Sequence, residues 1–77
     1  MIVCIDCGHD LNTKGKQCLD GTKEWTLNSR IGEIVETALT ERGITVVRSD
    51  DRSGKTDVPL STRVKKANAV SDYFISI

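Results

Sequence analysis

Ile2-Val3-Cys4-Ile5 is an unbroken apolar run that stops at Asp6. A run of this length without polar alternation marks a strand buried on both faces, as in a parallel sheet. Such a strand needs cover above and below, and in a small domain helices supply it. From Glu24 to Arg42 the apolar residues Trp25, Leu27, Ile31, Ile34, Val35, Ala38 and Leu39 recur at spacings of three and four, which predicts an amphipathic helix closed by Gly43. Ile44, Val46 and Val47 predict a second strand, followed by the polar segment RSDDRSGKTD. Pro59 suits the start of a shorter helix carrying Leu60, Val64 and Ala67, and Tyr73–Ile77 reads as a third strand. The order is βαβαβ, and right-handed crossovers make the expected fold class α/β, with a parallel sheet flanked by helices. The absence of repeats and linkers makes residues 1–77 a single unit.

At 77 residues the core is small and its stability marginal. Lys plus Arg and Asp plus Glu both number 11, so no net field draws the chain to nucleic acid or to an acidic membrane, and neither is expected as a partner. No apolar run approaches the roughly 20 residues that span a bilayer. The first residues lack a basic segment and a small-residue cleavage site, so no signal peptide is visible.

Cys4 and Cys7 stand at a spacing that suits zinc or a redox disulfide, but in a strand residues three apart point to opposite faces. A regular strand therefore denies them a common metal, and a redox pair would sit at a helix start instead. Core thiols are the expected reading, with a metal role for Cys7 alone as the lesser one. Cys18 makes the count odd, which does not fit a paired disulfide framework. His9, the single histidine, lies just past the carboxyl end of the first strand, where α/β proteins keep their chemistry, and Gly8 beside it would let the chain turn. The segment 8–23 reads as a surface loop of functional length that could bring Glu24 to His9. Two ligands of a zinc site are one reading of that pair. The other is a solvated histidine and a glutamate that favours the helix dipole by roughly 0.3–1 kcal/mol.

Five blocks in order resemble zinc-dependent N-acetylmuramoyl-L-alanine amidases of the amidase type 3 family, the cell-wall hydrolases of bacterial autolysins, sporulation enzymes and phage endolysins. IVCIDCGHD is similar to the opening strand with its Asp-x-Gly-His motif, and EWTLN to the Glu followed four residues later by Asn. ITVVRSDDR resembles the second strand and its exit, LSTRVKKAN the Leu-x-x-Arg-x-x-x-Ala-Asn helix, and SDYFISI the strand that leads into a Ser-Ile/Val-His motif.

The resemblance implies that this is the amino-terminal part of an amidase catalytic domain that cleaves the amide between N-acetylmuramic acid and L-alanine of peptidoglycan. It implies a Zn2+ cofactor held by two His and one Glu, of which His9 and Glu24 would be the first two. The third would follow Ile77, and the catalytic Glu would lie further on, so the 77 residues alone are expected to bind metal weakly and to be inactive. Cys7 stands where the family commonly has Ala. Asn28 is a candidate to orient a ligand or simply to pack the helix, whereas Arg63 and Asn68 are expected to be structural. The wall is the expected site of action, with synthesis in the cytoplasm and release by lysis or in a spore mother cell. The exposed carboxyl-terminal strand makes a homo-oligomer an expectation. The rival readings are a non-catalytic wall- or partner-binding module on this scaffold, and a small zinc or redox protein using Cys4, Cys7 and Cys18.

Overall fold

A computed structural model describes all residues 1–77. It contains β1 (Ile2–Asp6), α1 (Glu24–Glu41), β2 (Thr45–Arg48), α2 (Leu60–Val70) and β3 (Tyr73–Ser76). The sheet order is β2-β1-β3 with both pairs parallel, Val3 lying opposite Val46 on one side and Tyr73 on the other. The doubly flanked strand is therefore the one whose sequence is continuously apolar. No helix is long and apolar enough to cross a membrane.

Alternation along β1 divides its side chains between two layers. Val3, Ile5 and Cys7 join Trp25 of α1 in the main core, with Val35, Leu39, Ile44, Val46 and Ile77 packed around it. Asp6, on the opposite face, pairs with Arg63 of α2 across 3.1 Å. Cys4 and Cys7 are both fully buried and all three thiols are free.

The apolar stripes are wider than the surfaces they bury. On α1 the inward residues are Trp25, Ser29 and Gly32, whereas Ile31 and Ile34 are 50% and 66% exposed. A three-stranded sheet covers one line of the helix, and the neighbouring apolar line stays open. On α2 the expected inward stripe is displaced: Arg63 and Ala67 are buried, while Leu60 and Val64 face outward. All four residues of β3 are exposed: it is an edge strand and, unlike the other edge strand β2, it is not covered by α1.

Buried polar side chains (Asp6, Asp10, Ser29, Arg48, Ser49, Asp50, Arg63) outnumber buried apolar ones (Val3, Cys4, Ile5, Cys7, Trp25, Ala67), so cohesion depends on how well the polar set is paired. Every buried side-chain nitrogen and oxygen has a hydrogen-bond partner. Arg48 donates to both oxygens of Asp50, each at 2.7 Å. The same carboxylate accepts the Trp25 indole N–H at 3.1 Å and the Cys7 amide at 3.4 Å. Burial opposes ionisation of Asp50, but these donors outweigh it and hold the carboxyl below its ordinary value. The polar segment after β2 is thus partly interior. Further along it, Arg52 clamps Glu36 of α1 through two bonds of 2.8 and 2.7 Å.

Candidate functional site

The site lies where β1 leaves the sheet at its carboxyl end. Cys7, one residue past β1, is its last side chain in the core beneath α1. Burial, and then the nearby Asp50 charge, push its thiol up to about 11, and the Sγ–H donates to the Asn28 carbonyl at 3.4 Å. A neutral thiol aimed into a helix is a core group, which removes Cys7 from the candidate ligands. Cys18 is exposed on the loop and has no partner thiol.

The turn expected of Gly8 is made by His9 itself, whose φ is +65°. Gly8 is needed for a different reason. A Cβ there would stand 3.2 Å from the Ile77 carbonyl oxygen and 3.4 Å from Asn28 Nδ2, so its missing side chain lets β3 and α1 close on the strand exit. Gly8 N–H donates to the Ile77 oxygen at 3.1 Å, and Asn28 Nδ2 donates to the Gly8 oxygen at 3.3 Å. A left-handed histidine costs about 1 kcal/mol and persists only where surrounding bonds fix it.

Glu24 reaches His9 from the far end of the loop. Residues 10–13 are tied by the Asp10 side chain, which accepts from the Asn12 amide at 3.1 Å and from the Thr13 hydroxyl. An antiparallel bridge between Gln17 and Lys23 makes the later part a small hairpin, and the Glu24 amide donates to the Lys16 oxygen at 3.0 Å. The segment that reads as loop in sequence thus carries a fixed turn that sets the first residue of α1 beside the exit of β1.

The resulting pair is His9 Nε2 and Glu24 Oε2 at 3.5 Å, with side chains 36% and 45% exposed. Two donors on one tetrahedral zinc, at bond lengths near 2.0–2.2 Å, stand about 3.4 Å apart. The chemistry and spacing of the pair therefore suit two positions on one zinc, and both are open to solvent on their outer side. Nowhere do three or more His, Cys, Asp or Glu side chains gather to hold a metal ion, so the pair is a partial donor set.

Of the other residues singled out by sequence, Asn28 touches the site through the Gly8 carbonyl and makes no hydrogen bond to the His9 ring or to Glu24. Asn68 is exposed on α2. Arg63 is buried, in line with a structural role, yet one of its bonds reaches the His9 carbonyl. The Arg48–Asp50 pair escaped sequence reading because it lies in a segment that looks like loop; the signal was an Arg and an Asp two residues apart at a strand end.

The family comparison matches residues 3–77 to the family described as N-acetylmuramoyl-L-alanine amidase. Two solved structures are similar. One is the N-acetylmuramoyl-L-alanine amidase AmiC2 of Nostoc punctiforme, 31% identical with a TM-score of 0.83, the match covering 99% of this chain and 42% of that one. The other is the catalytic domain of CwlV, an N-acetylmuramoyl-L-alanine amidase from Bacillus (Paenibacillus) polymyxa var. colistinus, 32% identical with a TM-score of 0.78, covering 97% of this chain and 42% of that one. No curated protein matches the sequence. The chain thus spans less than half the length of either solved relative, while nearly all of it lies within the family match. A three-stranded parallel sheet with His9 at its carboxyl edge, matched along almost its whole length, belongs to the N-acetylmuramoyl-L-alanine amidase family.

Proposed function

We propose that residues 1–77 form the amino-terminal part of a zinc-dependent cell-wall amidase domain, which cleaves the amide between N-acetylmuramic acid and L-alanine in bacterial peptidoglycan. The observation that carries the reading is the 3.5 Å approach of His9 Nε2 to Glu24 Oε2 at the carboxyl edge of the sheet. In this reading His9 supplies a neutral imidazole nitrogen and Glu24 an anionic oxygen, a mixed set that suits zinc. A bound zinc contributes Lewis acidity, which polarises the scissile carbonyl and lowers the pKa of water toward roughly 7. Asn28 steadies the peptide before His9, and the Gly8–Ile77 bond brings the end of β3 beside the same edge. A residue directly after Ile77 would emerge next to the pair, which suits it to be the third donor. The general base that moves the water proton to the leaving L-alanine amine belongs to the part of the family domain beyond these residues.

Two donors and no base leave the 77-residue chain with weak zinc binding and no turnover. The test is incubation of muropeptides with this chain and with a chain read on past Ile77, followed by mass spectrometry. The longer chain should release peptides with a free L-alanine amine and lose that activity in His9→Ala or Glu24→Ala. Turnover that survives both substitutions would overturn the assignment. The open edge of β3 is the place for a second copy to add a strand; sedimentation that stays monomeric at high concentration would refute that association.

A further inference from the structure

The backbone around His9 is held from both helices. Asn28 of α1 takes the carbonyl before it, and Arg63 of α2 takes the carbonyl after it, at 3.3 and 3.2 Å. Arg63 does considerably more than pair with Asp6. Its Nε donates to the Val58 oxygen at 2.7 Å, Nη1 to the Cys7 oxygen at 2.7 Å and to Asp6 Oδ1 at 3.1 Å, and Nη2 to the His9 oxygen and to Asp57 Oδ1 at 3.3 Å. All five donors of a planar fork are used, which a single ammonium could not reproduce. In an extended chain the carbonyls of Cys7 and His9 would stand about 6.6 Å apart along the strand. Here, where the chain turns at His9, both reach neighbouring nitrogens of one guanidinium.

We propose that Arg63 is a positioning residue for His9: its guanidinium fixes the turn by gripping the Cys7 and His9 carbonyls, so that the imidazole is presented to Glu24 already oriented. The charge of Arg63 is balanced by Asp6 and Asp57, and neither carboxylate requires the two carbonyl contacts. Those contacts account for why a left-handed, non-glycine residue can persist at the strand exit. The consequence for metal binding rests on His9 being a zinc donor; the consequence for the backbone does not.

The 77-residue chain is compared with its Arg63→Lys and Arg63→Ala variants. Lysine keeps a positive charge opposite Asp6 but offers no fork, which separates charge balance from positioning, and it serves if the alanine variant fails to fold. Amide hydrogen exchange is read at Gly8 and Asp10, whose N–H groups are bonded to Ile77 and Thr13, and, between β2 and β1, at Thr45 and Ser49, whose N–H groups are bonded to the Met1 and Ile5 oxygens. Zn2+ titration is followed on the ring protons of the single histidine. In Arg63→Lys, exchange at Gly8 and Asp10 should quicken about tenfold or more with Thr45 and Ser49 unchanged, a local opening rather than a global one. The zinc dissociation constant should rise about 10- to 100-fold, as when a group that orients a metal ligand is lost. Unchanged exchange at Gly8 and Asp10, or an even loss of protection through the whole sheet, overturns the proposal. If Zn2+ leaves the His9 ring protons of the parent chain unshifted, the zinc reading of His9 fails, and the exchange measurement still decides the role of Arg63.

Discussion

Gly32 sits at the closest approach of α1 to β1, and replacing it with alanine is a sharp probe of that packing. The added Cβ would lie 2.5 Å from Cys7 Sγ, 3.6 Å from Ile5 Cγ2 and 3.7 Å from Ile77 Cδ1. The last two are ordinary contacts. The first is about 1 Å too short, and the sulfur is fully buried with its thiol bonded to the Asn28 carbonyl, so either the thiol swings away from Asn28 or α1 lifts from the sheet. Overpacking of this kind costs about 1–3 kcal/mol, while glycine to alanine inside a helix contributes about 1 kcal/mol in the other direction. The net expectation is a loss of up to about 2 kcal/mol. For a chain of this size that lowers Tm by up to about 15 °C. Urea unfolding followed by the fluorescence of the single tryptophan, Trp25, measures it. Cys7→Ala removes the offending sulfur, so the double variant should recover about 1 kcal/mol or more relative to the sum of the singles. A Gly32→Ala chain more stable than the parent, or singles that simply add, would refute the packing described.

Three further outcomes follow from the same geometry. Asp50→Asn leaves the buried Arg48 uncompensated and should destabilise by about 3–5 kcal/mol in urea unfolding. Because the folded-state value of Asp50 lies below the ordinary 3.8, its contribution is complete above that pH and fades as pH falls through the lower folded value; the variant should flatten the acid limb of stability below about pH 4. Alkylation of the native chain should modify Cys18 quickly, with Cys4 and Cys7 reacting only on unfolding, since Cys18 alone is exposed; rapid labelling of a second thiol would contradict their burial. His9→Gly should leave stability unchanged or raise it by up to about 1 kcal/mol, because glycine adopts a φ of +65° without a Cβ penalty. A clear loss would mean that the ring, not the backbone, holds the turn.

The elements were legible because α1 keeps its helical period over 18 residues and the shorter elements are bounded by polar, glycine or proline segments. The continuous apolar run of β1 and the glycine that closes α1 left little freedom in order or sheet type. Burial was less legible. Ile31 and Ile34 carry the same helical spacing as Val35 and Leu39, and only the width of the sheet decides which line is covered. Arg63 occupies an inward position of α2 that hydropathy assigns to Leu60 and Val64, because a guanidinium with five acceptors can be buried where one without them cannot. Those acceptors lie as many as 57 residues away, beyond the reach of any local pattern. The candidate pair was readable as two residue types at a strand end and a helix start. The hairpin that joins them rests on backbone bonds within residues 16–24 that leave no hydropathy pattern, and the left-handed turn made by His9 rather than Gly8 depends on contacts with Asn28, Arg63 and Ile77.

In the proposed function His9 and Glu24 act together as donors to one zinc ion. A Zn2+ titration of the 77-residue chain, read on the His9 ring signals by NMR, tests it most directly. Saturable, weak binding that shifts the His9 ring, is further weakened in Glu24→Gln and is untouched in Cys18→Ser is the expected result. Zinc binding that leaves the His9 ring unshifted, or that is lost with Cys18 and not with Glu24, would contradict the account.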